Sequence, residues 1–165
     1  GYDEIFINNI GQSNKLFRIK ENGLLEKIVL NNAALSNGFG TGAAVADIDN
    51  DGILELLVSH GESKAQPLTL YKAKVEKNNK YLRIKPINKF GAPARGATVT
   101  LISNQRKHSK TIDAGSGYLC QMEPVAHYGI RKKEKNFKVE IRWTNGSKEM
   151  IDIKKLNQTI IVRQK

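Results

Sequence analysis

Asp47, Asp49 and Asp51 stand on alternate positions of the stretch VADIDNDGILELLVSHGE (residues 45–62), with Gly52 next and Glu55 three residues on. That spacing suits a hard divalent cation. Calcium wants about six to eight oxygens at roughly 2.3–2.6 Å. Short carboxylates at loop positions 1, 3 and 5 can converge on one point. Gly52 at position 6 permits the sharp backbone reversal. Ile53 at position 7 offers its backbone carbonyl, and Glu55 at position 9 a further carboxylate. Without a cation, so many carboxylates would repel one another. An all-oxygen donor set disfavours zinc and copper. The expected cofactor is therefore Ca2+, held by Asp47, Asp49, Asp51, Ile53 and Glu55.

The loop is not an EF-hand, which needs a bidentate glutamate at position 12 and flanking helices. Position 12 here is Val58, in an apolar run, and GTGAAVA before the loop would make a poor helix. The metal loop is thus expected to join two strands. The chain opens with GYDEIFINN, which reads as the back half of the same motif with its front cut away. Residues 1–9 fall over residues 52–60 at an offset of 51, matching Gly1 to Gly52 and Glu4 to Glu55. Ile5, Phe6 and Ile7 then fall on Leu56, Leu57 and Val58. An offset of this size is in the range of propeller-blade repeats. Glu4 is accordingly a candidate ligand of a second, truncated loop, with aspartates expected just before residue 1.

Short strands between turn signals must position these residues. Strand-like runs recur at 4–9, 15–20, 24–30, 43–48, 53–59, 68–75, 81–88 and 97–103, with loops at 31–42 and 89–96. This cadence predicts an all-β fold. KTIDAGSGYLC (110–120) carries two glycines that imply a bend or bulge. FKVEIRW (137–143) alternates strictly, placing Phe137, Val139, Ile141 and Trp143 on one face. TNGS (144–147) supplies an Asn-Gly hairpin signal. No segment gives a long amphipathic helix.

Charge divides the chain. Residues 1–75 hold seven Lys+Arg and nine Asp+Glu, for −2; residues 76–165 hold twenty and seven, for +13. The shift places a module boundary near 73–80, with domains at 1–75 and 76–165. Arg131, Lys132, Lys133 and Lys135, with Lys107, Lys110, Lys154 and Lys155, make a candidate polyanion patch. Nucleic acid is the less attractive partner, because the basic stretches lack interleaved aromatics. No run approaches the roughly 18 apolar residues of a membrane-spanning helix. The lone Cys120 excludes a disulfide framework within these residues.

Catalysis has little support. Ser116, His127 and Asp113 include the residue types of a nucleophilic triad. GSG is not the G-x-S-x-G elbow, however, and nothing aligns a base on the serine. His127 is expected to pack with Tyr128 and bond a backbone carbonyl, and His60 and His108 to lie on the surface. Two sequons, NGS at Asn145 and NQT at Asn157, are candidate glycan acceptors in a secreted protein.

NGFGTGAAVADIDNDGILELLVSHG (37–61), with Phe39-Gly40 and its aspartate loop, resembles an FG-GAP repeat, a blade of the integrin-α type of β-propeller. YLRIKPINKFGAPARGATVTL (81–101), AGSGYLCQMEPVAHYGI (114–130) and VEIRWTNGS (139–147) resemble the ASPIC/UnbV domain. Together they resemble the C-terminal part of a cartilage acidic protein. The resemblance implies one or two blades at the end of a propeller, then a β-sandwich-like ASPIC/UnbV domain. It also implies a secreted, extracellular protein that binds a matrix or cell-surface partner rather than catalysing a reaction. Asp47, Asp49, Asp51, Ile53 and Glu55 would be that family's metal positions. One departure is charge: the family is named for acidity, and this chain carries +11. The alternative expectation is a glycosaminoglycan-binding protein acting through its basic second half.

Overall fold

A computed structural model describes residues 3–20, 22–61, 63–74, 80–113, 115 and 117–165. The chain is all-β. Its strands are β1 (Glu4–Ile7), β2 (Lys15–Ile19), β3 (Leu25–Ile28), β4 (Gly40–Ala46), β5 (Glu55–His60), β6 (Thr69–Lys72), β7 (Lys80–Ile87), β8 (Thr98–Ile102), β9 (Lys107–Thr111), β10 (Ala126–Ile130), β11 (Lys138–Arg142), β12 (Lys148–Asp152) and β13 (Gln158–Arg163). The one helical element among the described residues is a short 3-10 turn, Asn31–Ala34. Two compact units result. One comprises Tyr2–Lys74 with Gly115–Met122, the other Val75–Ala114 with Glu123–Lys165.

The first unit holds two three-stranded antiparallel sheets, β1-β2-β3 and β4-β5-β6. The 51-residue offset superposes β1 on the start of β5, so Glu4 and Glu55 open equivalent strands. Gly1 and Tyr2, also matched by the offset, lie outside the described residues. Polar side chains join the two sheets. Asn8 Nδ2 donates to the carbonyls of Gly42 (3.0 Å) and Ser59 (3.2 Å). Asn14 is buried; its Oδ1 accepts the Asn9 N–H at 2.9 Å and its Nδ2 donates to the Ala33 carbonyl at 3.1 Å. Gly40 and Gly42 lie inside β4, where a residue without Cβ is required. A methyl on Gly40 would run into Asn8, and one on Gly42 into Cys120 Sγ and, at 2.7 Å, the Tyr118 carbonyl oxygen. The loop expected at 31–42 therefore ends early, because packing overrides the weak strand preference of glycine.

The second unit is a sandwich of two sheets, β10-β7-β13 and β12-β11-β8-β9. Its core takes alternate residues of facing strands: Leu82 and Ile84 of β7, Val99 and Leu101 of β8, Val139 and Ile141 of β11. Trp143 and partly buried Phe137 join them, as the alternation of 137–143 predicts. Pro86 sits in β7 beyond Ile84, where pairing with β10 has ended and an N–H on that side is no longer needed. The β11–β12 hairpin differs from a two-residue Asn-Gly turn. Trp143 N–H donates to the Ser147 carbonyl and Gly146 N–H to the Trp143 carbonyl, with Gly146 at φ +85°. This is a three-residue loop closed by a left-handed glycine.

Candidate metal centre

The aspartate loop spans residues 47–54 between β4 and β5, and the Ala46–Glu55 pair closes its base. Its shape is written in Asx bonds. Asp47 Oδ2 accepts the Gly52 N–H at 3.1 Å, Asp49 Oδ1 the Asp51 N–H at 3.3 Å, and Asp51 Oδ1 the Ile53 N–H at 2.8 Å. Glu55 Oε2 reaches back to the Ile48 N–H at 2.9 Å. Asn50 at φ +60° and Gly52 at φ +85° take the left-handed turns this path requires. Asp47 and Glu55 are buried, each 4% exposed; Asp49 and Asp51 face water.

Carboxylate oxygens of Asp47, Asp49 and Glu55 lie within 4.8 Å of one another. Asp51 joins them through a shared partner. Lys72 Nζ on β6 sits 2.5 Å from Asp49 Oδ2, 2.6 Å from Asp51 Oδ2 and 3.3 Å from Glu55 Oε1. Its hydrogen bond, with that from Ile53 N–H, holds the Asp51 carboxyl below the usual carboxylate range. The same bonds, to Asp49 first and Asp51 second, raise the Lys72 ammonium above its ordinary value. The loop thus focuses hard oxygens on a cation, and the ammonium stands where a positive charge belongs. Such a donor set fits calcium. Ile53 is in place within the loop, with its N–H already engaged.

Glu4 heads β1 alone; among the described residues the group of potential metal ligands is Asp47, Asp49 and Glu55. Glu4 Oε1 instead meets Arg18 Nε at 3.5 Å. Lys72 escapes a reading of the sequence because the connection before it differs between repeats. Arg18 follows Glu4 by 14 residues, and Lys72 follows Glu55 by 17. Strand register is the signal that aligns them, since it places Glu4 opposite Arg18 and Glu55 opposite Lys72.

The basic run 131–138 forms the β10–β11 connection. Glu134 turns inward, its Oε1 2.6 Å from Arg106 Nε, so Lys132, Lys133 and Lys135 are turned out. Asn104 Oδ1 pins this loop by accepting the Lys135 N–H at 2.7 Å, and Arg131 is half-buried. Lys154 and Lys155 join Lys80 around a shallow groove of about 440 Å³, floored by Phe137, Ile153 and Leu156. Asn145 lies at the hairpin tip, its Oδ1 accepting the Ser147 N–H (3.0 Å) and hydroxyl (2.7 Å). Asn157 is left-handed at φ +57°, and its Oδ1 accepts the Tyr81 N–H at 3.1 Å.

The histidines depart from expectation. His127 and Tyr128 are neighbours on one strand and must face opposite ways. His127 stacks on Tyr81 at 6.0 Å, and its Nδ1 is buried without a hydrogen bond. Tyr128 takes His108 edge-on and donates its hydroxyl to the Val99 carbonyl at 2.8 Å. His60 and His108 are half-buried rather than fully on the surface, with His60 Nδ1 2.9 Å from the Pro67 carbonyl. Ser116 lies outside the described residues, and Asp113 is exposed with its carbonyl bound by Arg95. Cys120 is a half-buried free thiol.

Comparison with known proteins matches an FG-GAP-like repeat at residues 1–58 and an ASPIC and UnbV domain at residues 88–165. Cartilage acidic protein 1 of Homo sapiens is 47% identical over 152 residues, 87% of this chain and 23% of the relative. Cartilage acidic protein 1 of Xenopus tropicalis and of Mus musculus are each 45% identical over the same shares. The chain thus spans about a quarter of the length of the curated relatives it matches.

Proposed function

From a chain that belongs to the cartilage acidic protein family, joining FG-GAP-like repeats to an ASPIC and UnbV domain, we propose a non-enzymatic, secreted, extracellular interaction module. Its aspartate loop binds Ca2+ through Asp47, Asp49, Asp51, Glu55 and the carbonyl of Ile53. The single observation that carries this is the convergence of buried and exposed carboxylates of one hairpin loop on one cation position. Bound calcium supplies the charge neutralisation these carboxylates need. The chain's own part is to hold them ready, through the Asx bonds and the Glu55 reach-back. The second unit then meets a protein of the matrix or cell surface, with Asn145 and Asn157 as glycan acceptors.

A melt in EDTA against one in millimolar Ca2+ tests the reading. At a hundredfold excess over Kd a bound ligand adds about 2.7 kcal/mol, which is a rise of several degrees in Tm. Asp47→Asn with Asp49→Asn abolishes that rise. Equal melts in EDTA and calcium, for a folded wild-type chain, would remove the calcium loop from the function.

One observation favours a second reading, a polyanion surface on the second unit. The inward turn of Glu134 leaves three lysines of one short loop pointing to water. Sulfated glycosaminoglycan is the ligand such a surface takes.

A further inference from the structure

We propose that Lys72 is a built-in counter-cation of the aspartate loop, holding its carboxylates together before a divalent ion binds and leaving when one does, so that Lys72 sets the loop's metal affinity. The inference rests on the calcium reading above. Three observations carry it. Lys72 Nζ contacts Asp49, Asp51 and Glu55 at 2.5, 2.6 and 3.3 Å, three of the four carboxylates a metal would use. Glu55 Oε1 is buried without a hydrogen bond, and the ammonium is the cation beside it. The other repeat has the same arrangement: Arg18 lies opposite Glu4 in register, with Nε 3.5 Å from Oε1. A basic residue on the neighbouring strand, directly opposite the glutamate that opens β1 or β5, is thus a repeated feature.

Competition follows from charge and space. A divalent ion needs these oxygens at roughly 2.3–2.6 Å. An ammonium already bonded to the same oxygens cannot remain beside it, because two cations that close repel strongly. The side chain can leave. It is 42% exposed, and its four-carbon stem lets the head swing into water. Whatever Lys72 contributes to the metal-free loop is subtracted from metal binding by linkage.

The test is calorimetric titration of Ca2+ into the wild-type chain, Lys72→Met and Lys74→Met, at low salt. Lys74 is exposed and removes the same charge without touching the loop. Lys72→Met is expected to bind calcium roughly three- to tenfold more tightly, from the loss of three partly exposed ion contacts. Lys74→Met should match the wild type. In EDTA, Lys72→Met should melt below the wild type, and calcium should close the gap. Lys72→Gln serves where the methionine variant fails to fold. Binding by Lys72→Met alone, with none by the wild type, supports the proposal in its strongest form. Unchanged or weaker affinity in folded Lys72→Met overturns the counter-cation role and leaves the calcium reading standing. No calcium heat in any of these folded proteins overturns the calcium reading, and the Lys72 role with it.

Discussion

At the scale of a residue, the fold decides the charge of His127. Burial of its ring, stacked on Tyr81, and the nearby Lys110 and Arg83 cations push its pKa down to about 4. In the unfolded chain the imidazole titrates near 6.5. Between these values the unfolded state binds more protons, so stability rises with pH across that window and falls as pH drops from 6.5 to 4. His127→Gln, neutral at every pH, should flatten this slope; denaturant midpoints at half-unit pH steps would read it. An unchanged slope would place the titration elsewhere. Asp51 acts in a different window. Its lowered carboxyl keeps its contribution until pH falls below the ordinary carboxylate value, where protonation breaks the contact to Lys72. The aspartates were legible in the sequence because a metal loop needs fixed residue types at fixed spacing. Lys72 was not, because its contact depends on a strand register that a three-residue difference in loop length conceals.

At the scale of elements, β4 shows what glycine does in a strand. Gly42 has no room for a Cβ, since Cys120 Sγ and the Tyr118 carbonyl occupy that space. Gly42→Ala must push the segment 117–122 aside or bend β4, at a cost of about 1–3 kcal/mol. Urea unfolding followed by circular dichroism should show the lower midpoint, and Cys120 should react faster with a thiol reagent. Both unchanged would mean that the segment yields freely. Residues 137–143 were readable as a strand because one face is core and the other water, which leaves strict alternation in the sequence. β9, KHSKT, begins earlier than its sequence suggests. It is the edge of its sheet, mostly in water, with no apolar face to reveal it. β10, AHYGI, is hidden in the sequence for another reason: half-buried His127 and exposed Gly129 alternate with the buried Ala126 and Tyr128 and mask their apolar face.

At the scale of the whole molecule, charge is distributed as unevenly as the fold. The acidic loop belongs to the first unit, which carries −2, and the second carries +13. The charge step placed a boundary at 75–76, residues outside the described part of the chain. What composition could not show is that Gly115–Met122 returns to the first unit, since a contact between distant stretches leaves no mark on local charge. The basic excess permits two explanations of heparin binding, and they separate by experiment. If net charge alone is responsible, any three lysines are equivalent. If the 131–135 loop is the surface, changing Lys132, Lys133 and Lys135 to Gln should remove most retention. Changing Lys89, Lys148 and Lys165, exposed lysines outside the candidate patch, to Gln should remove little, although both triples lower +11 to +8. Retention of the wild type should also fall steeply with salt, as the screening length shrinks from about 10 Å at 0.1 M to about 3 Å at 1 M. Equal losses from the two triples would assign the binding to bulk charge and discard the loop as a recognition surface. Salt-resistant retention would discard the electrostatic reading altogether.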